Sequence, residues 1–177
     1  SAEVIVKSVD GKLSLTYTIT QEPDLDYQLA LEREPLIAIY NALDGDNWTN
    51  NTNWCSDKPV SEWHGISINE NGFVDYLALD NNNLYGIIPR DIAKLSYLRW
   101  LILRDNRLIG DIPQWITTLR HMHTLNLSGN KLEGSIPQGL DKMKDLVFIS
   151  LENNQLSGEI PDDIKNPEVK KYYDMLS

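Results

Sequence analysis

Between residues 74 and 169 the apolar positions recur every 24 residues. With Val74, Leu98, Met122 and Leu146 as first positions, the fourth holds Leu77, Leu101, Leu125 and Ile149, and the sixth holds Leu79, Leu103, Leu127 and Leu151. Leucines alternating with variable residues make the period-two pattern of a short strand with one buried face. The ninth position is always asparagine (Asn82, Asn106, Asn130, Asn154) and the eleventh always leucine (Leu84, Leu108, Leu132, Leu156). The thirteenth is always glycine (Gly86, Gly110, Gly134, Gly158), and an Ile-Pro pair follows at Ile88-Pro89, Ile112-Pro113, Ile136-Pro137 and Ile160-Pro161. One coil cannot bury its own leucines, so the four coils must stack, with their strands in a parallel sheet. The asparagines then form a structural ladder, each buried amide satisfied by backbone groups of adjacent turns. The glycines suit a tight bend or a close backbone approach. Proline lacks a donor, which puts the Ile-Pro step on the convex edge, away from the middle of a sheet.

The flanks read as covers for the open ends of this array. Downstream, Asn166-Pro167 predicts a helix start, and Val169, Tyr172, Tyr173 and Leu176 share one helical face. Pro167 falls where the repeat wants an apolar residue, which ends the array at four coils. Upstream, residues 27–43 carry a helical pattern through Leu29, Leu36, Tyr40 and Leu43. Pro35 is expected to break this helix or open its second half, and Gly45 to stop it. Ile66, Ile68, Asn69 to Gly72 and Phe73-Val74 predict a hairpin leading into the first repeat strand. Val4, Val6 and Leu13 to Ile19 are strand-like around Asp10-Gly11, a two-residue turn signal. The expected organisation is a hairpin over 1–22, docked or left from a preceding domain, a cap over 23–73, repeats over 74–169, and a capping helix over 166–177.

The consensus LxxLxLxxNxLxGxIPxxLxxL resembles that of plant-type leucine-rich repeat proteins, which include extracellular receptor domains and enzyme inhibitors; secreted proteins of gut-type bacteria carry the same repeat. The tract Gly45-Asp46-Asn47-Trp48, Asn53-Trp54-Cys55 and Trp63-His64-Gly65-Ile66 is similar to the N-terminal cap of such proteins. Plant caps carry cysteine pairs, and the lone Cys55 points to the bacterial branch. The resemblance implies an α/β fold: a right-handed, horseshoe-like leucine-rich repeat solenoid with a parallel sheet on its concave face and helical caps at both ends. It also implies an extracellular or cell-surface setting, with a lipid anchor through a removed leader as one form, and a protein or glycan partner.

Charge narrows the partner. The 177 residues include 16 Lys plus Arg against 26 Asp plus Glu, a net charge of −10, which argues against nucleic acid or anionic lipid. No apolar run is long enough to predict a transmembrane segment. A single cysteine rules out an intramolecular disulfide and any zinc site built on two cysteines.

In such a solenoid the third, fifth, seventh and eighth positions of each coil flank the concave strand. They supply the candidate ligand-binding set: Tyr76, Trp100 and Phe148 at three, Asn126 at five, Asp80, Arg104 and Glu152 at seven, and Asp105 at eight. Exposed aromatics ringed by Asp, Arg and Asn have the composition of a recognition patch; the competing reading is that they only pack flat on the sheet. Catalytic signals are poor. His121-Met122-His123 lacks a third ligand, and Asp44, Asp46 and Asn50 only faintly match a calcium loop, with Trp48 and Thr49 in the wrong slots. Cys55, beside Trp54, is expected to be buried and inert, and neither a phosphate-binding loop nor a nucleophile elbow is present. The expected function is therefore a monomeric, non-catalytic binding module without metal or cofactor. The alternatives are a structural spacer that displays another domain, or an inhibitor of a secreted carbohydrate-active enzyme.

Overall fold

The computed structural model describes residues 2–7, 14–19 and 25–158. Strands β1 (Ala2–Lys7) and β2 (Ser14–Ile19) pair antiparallel. Helix α1 (Leu25–Ala42) follows, then β3 (Ile66–Ile68), β4 (Val74–Ala78), β5 (Tyr85–Gly86), β6 (Trp100–Ile102), β7 (Arg107–Asp111), β8 (Thr124–Asn126), β9 (Lys131–Glu133) and β10 (Phe148–Ser150). The Asp10-Gly11 turn, Ile160-Pro161 and the predicted 166–177 helix lie outside the described residues.

The repeat strands form a sheet of order β10-β8-β6-β4-β3, parallel throughout except for the β3–β4 hairpin. Its pairs are one repeat apart (Leu77 with Leu101, Leu101 with Leu125, Leu125 with Ile149), so each coil lays its leucines on the next. Leu77, Leu79, Leu84, Leu101, Leu103, Leu108, Leu125, Leu127 and Leu132 are all fully buried. At about 1.5–3 kcal/mol for each such side chain, this stack is the main drive for folding.

Each asparagine of the ladder closes the turn after its strand. Asn106 donates from Nδ2 to the carbonyls of Leu79, Leu103 and Arg104, and its Oδ1 accepts from the amides of Asn82 and Leu84. Asn130 and Asn154 repeat the pattern one and two coils on, donating to Leu103 and Leu127 and accepting from Leu108 and Leu132. Asn82 makes the equivalent bonds to the backbone of Asn50, which ties the first coil to the cap.

A second parallel sheet, β5-β7-β9, runs along the other edge of the coils and was not expected from the periodicity. The repeat glycines lie in or beside its strands. Gly86 shows why: at φ 136° its missing Cβ would stand 2.6 Å from the carbonyl oxygen of Ala42, so only glycine lets the first coil close on the end of α1. After Pro89 and Pro113 the chain makes single-turn 3-10 helices that bury Ile92 and Ile116, outside both sheets as expected of Ile-Pro.

Two expectations about the cap need correction. Helix α1 runs unbroken through Pro35, and the half that follows the proline is anchored by Leu36, Ile39, Tyr40 and Leu43, which are buried together. Gly45 is not the left-handed stop; Asp44 is, at φ 62°. Gly45 is instead required by contact, since a Cβ there would lie 2.3 Å from the Tyr40 ring. The cap is an aromatic cluster. Trp48 packs edge-on to Tyr40 and Trp54 at 5.1 and 4.9 Å, and Trp54 lies 5.2 Å from Trp63. Every indole N–H is satisfied: Trp48 donates to the Leu43 carbonyl, Trp54 to His64, and Trp63 to Lys58. Arg33 lies 4.9 Å over the Trp63 ring and donates to the carbonyls of Ser56 and Lys58.

One charged group sits uneasily in this seam. Glu32 of α1 is only 4% exposed; its Oε2 accepts from the Val74 amide at 2.6 Å, and its Oε1 is buried without a partner. Burial pushes its pKa from the ordinary 4.5 to about 7, against the opposing pull of the Val74 bond. The folded chain thus holds the Glu32 proton more tightly than the unfolded one. That contribution to stability is complete below pH 4.5 and lost as the pH rises through about 7. Melting of Glu32→Gln across this window should show a shallower fall in Tm than the wild type; parallel curves would contradict the assignment. Asn130→Ala should cost about 1–3 kcal/mol in urea unfolding, through the orphaned Leu103 and Leu127 carbonyls and Leu108 amide.

Candidate binding face

In-register pairing fixes what the open face of the larger sheet presents. Tyr76 partners Trp100, Trp100 partners Thr124, and Thr124 partners Phe148, so the third positions form one row across four strands, each half-buried. The Tyr76 and Trp100 rings lie 6.2 Å apart at 51°. Arg99 stands 4.7 Å over the Trp100 ring and His123 lies 5.9 Å from it, its Nδ1 bonded to Thr124 Oγ1. Trp100 is therefore the centre of a polar-edged aromatic group, not an isolated ring.

At the carboxyl ends of the strands, Arg104 Nε lies 3.7 Å from Asp80 Oδ2 and 3.8 Å from Asp105 Oδ2. All three side chains are between 40% and 58% exposed, so these pairs add little stability and are easily exchanged for a ligand's charges. Asn126 and Glu152 are engaged locally. Asn126 Oδ1 accepts from the amide and hydroxyl of Ser128, and Glu152 Oε2 accepts from the Ser150 hydroxyl at 2.5 Å.

The eighth positions have a backbone duty that the sequence did not reveal. Asn81, Asp105, Gly129 and Asn153 all have positive φ, between 48° and 65°. Their amides bond to the seventh-position carbonyl of the next coil: Asn81 to Arg104, Asp105 to Ser128, Gly129 to Glu152. Asp, Asn and Gly are the residues that tolerate this left-handed turn, so the residue type at Asp105 is explained by conformation before any ligand is considered.

Arg99 and His123 were missed because the second position varies with no pattern, from Asp75 to Arg99, His123 and Val147. The residues weighed for calcium make separate bonds: Asp44 accepts from Asn47, Asp46 from Tyr40, and Asn50 from Thr52. Among the described residues no three His, Cys, Asp or Glu side chains gather as a metal site. His121 stacks on Tyr97, away from His123. Cys55 is exposed, contrary to expectation: the left-handed turn at φ 59° carries Trp54 into the aromatic cluster and turns the next side chain outward. Partial desolvation still raises its thiol pKa above the ordinary value, with nearby Arg33 opposing, so it is no ready nucleophile.

Comparison with known proteins places this architecture. Residues 96–156 match the leucine rich repeat family model. The structure of the BIR3–SERK2 complex from Arabidopsis thaliana is 32% identical with a TM-score of 0.63, over 76% of this chain and 73% of that one. The chain belongs to the leucine-rich repeat family. Its solenoid is of the plant type. A plant ice-binding protein is 29% identical with a TM-score of 0.71, covering 76% of this chain and 44% of that one. The LRR ectodomain of the plant membrane receptor kinase GASSHO1/SCHENGEN3 from Arabidopsis thaliana, in complex with CASPARIAN STRIP INTEGRITY FACTOR 2, is 26% identical with a TM-score of 0.60, over 77% of this chain and 19% of that one. The leucine-rich repeat chain thus spans less than half of the ice-binding protein and about a fifth of that ectodomain. No curated protein matches it. Among the described residues no helix is long and apolar enough to cross a membrane.

The turn role of Asp105 is testable without any ligand. Asp105→Gly should leave Tm nearly unchanged, whereas Asp105→Val should lower stability by about 1–2 kcal/mol through left-handed strain. Equal effects of the two substitutions would refute it.

Proposed function

We propose that the chain is a non-catalytic extracellular recognition module, binding a protein or glycan partner on the open, concave face of its larger sheet. Tyr76, Trp100 and Phe148 are the apolar anchors, Arg99 and His123 frame Trp100, and Asp80, Arg104 and Asp105 form a solvated charged border. Asn126 and Glu152 shape the strand ends beside them. The observation that carries this reading is the unbroken row of third-position side chains, half-exposed and in register, with a guanidinium over its tryptophan. Aromatic residues and arginine dominate the energetics of recognition surfaces. Related solenoids captured in complexes, such as the GASSHO1/SCHENGEN3 ectodomain, support a polypeptide partner as the first to test. The disulfide-free aromatic cap supports the secreted bacterial branch of the plant-type repeat. A cap over 23–73, four coils over 74–169 and a closing helix over 166–177 is the organisation that goes with it.

Screening peptide and glycan arrays with the wild type and with Trp100→Ala tests this reading. The variant should bind its best wild-type hit at least about tenfold more weakly, a loss of about 1.4 kcal/mol or more, with Tm unchanged. A Trp100→Ala chain that melts lower yet binds as tightly would make the row a packing feature alone.

A further inference from the structure

Off the aromatic row, at the amino-terminal ends of β4, β6 and β8, lies a pocket of about 510 Å3. Three of its lining residues, Tyr97, His121 and Asp145, hold the position that precedes a coil's first residue, 24 apart, and Phe73 is the equivalent residue of the first coil. Phe73 and Tyr97 stack at 4.2 Å and 27°, and Tyr97 and His121 at 5.4 Å and 4°. Parallel strands about 4.8 Å apart impose such stacking on rings at equivalent positions. The stack ends in a charge, with His121 Nδ1 4.0 Å from Asp145 Oδ2.

The lining is chemically lopsided. Glu70, Asp75 and Asp145 bring three carboxylates against the single guanidinium of Arg99, and that guanidinium lies over the Trp100 ring. Desolvation raises the Asp75 pKa, opposed by a hydrogen bond from its own backbone and then by Arg99. Tyr97 has Phe73 on one face and His121 on the other, so it offers the pocket a wall of ring edge rather than an open face. A sugar, which stacks its C–H face on a free ring, is poorly served here. A bare metal ion is poorly served too, since no three ligating side chains gather among the described residues. A flexible hydrocarbon stem ending in a cation matches both features, the stem along the wall and the head among the carboxylates.

We propose that this pocket receives a lysine or arginine side chain of a partner polypeptide. The proposal rests on the reading of the chain as a recognition module and adds the chemistry of the partner at a second place beside the row.

Amide chemical-shift titration of the whole chain tests it, using the capped peptides Gly-Gly-Arg-Gly-Gly and Gly-Gly-Lys-Gly-Gly, the glutamate peptide Gly-Gly-Glu-Gly-Gly, and cellohexaose. The two basic peptides should move the amides of Asp75, Tyr97 and Asp145, less strongly as salt is raised; the glutamate peptide and cellohexaose should not. Asp145→Asn, at an exposed site, and the isosteric double variant with Asp75→Asn should each weaken the response, the double by about tenfold or more. The row is read by Trp100→Ala on the arrays and the pocket by Asp75→Asn and Asp145→Asn here, so failure of the row and failure of the pocket are read separately. Silence of the pocket amides, an equal response to glutamate, or a response to cellohexaose alone would overturn the proposal.

Discussion

A buried primary amide joins each coil to the one before it. Asn106 spends its Nδ2 on carbonyls of its own turn and of the preceding coil, and its Oδ1 on two amides of that coil. These backbone groups sit where the chain leaves the strand and cannot reach sheet partners, so without the side chain they would be buried and unpaired. No other side chain of this length offers two donor hydrogens and an acceptor; aspartate has the same shape, but its carboxylate has nothing to donate. The 24-residue period follows, because a coil of another length would put its amide out of register with its neighbour's turn. The in-register sheet follows in turn, and with it the alignment of Tyr76, Trp100, Thr124 and Phe148 into one row.

Where the ladder meets the amino-terminal side, Asn82 bonds to Asn50 in place of a preceding coil, and the cap behind Asn50 is held by packing. Tyr40, Trp48, Trp54 and Trp63 supply large apolar areas and edge-to-face contacts, and each indole N–H ends on a backbone carbonyl. This does by packing what cross-linking does elsewhere in such caps. Glu32 shows the cost of the arrangement: closing α1 over the first strand buries a carboxylate that has one partner where it needs more.

The parts of the fold legible in the sequence were those fixed by side-chain identity on a strict period. Leucine or isoleucine at four, leucine at six and eleven, asparagine at nine and proline after isoleucine each serve one physical need from coil to coil among the described residues, so the pattern states the structure. What stayed hidden lives in the backbone or in variable columns. The second sheet runs through glycines and mixed residues such as Tyr85, Ile109 and Glu133, which carry no alternation. Asp, Asn and Gly recurring at Asn81, Asp105, Gly129 and Asn153 fit a polar binding rim as well as a left-handed turn, so residue type alone does not reveal the turn. The stack of Phe73, Tyr97 and His121 changes residue type at every step, so only the strand spacing reveals it as one feature. Pro35 and Cys55 depart from expectation for different reasons: α1 continues through the proline into a buried second half, and Cys55, expected to follow its neighbour Trp54 inward, sits on a left-handed turn that leaves it exposed.

Recognition surfaces on such a scaffold depend on the register of the coils, so the amide ladder is where the structure is most directly open to challenge. Native-state hydrogen exchange, read residue by residue, measures it. The amides of Leu84, Leu108 and Leu132 end on side-chain oxygens of Asn106, Asn130 and Asn154. They should exchange as slowly as the strand amides of Leu101 and Leu125, opening only when the whole array unfolds. Exchange at the pace of the solvent-facing turns would mean that the asparagines do not bind the coils together.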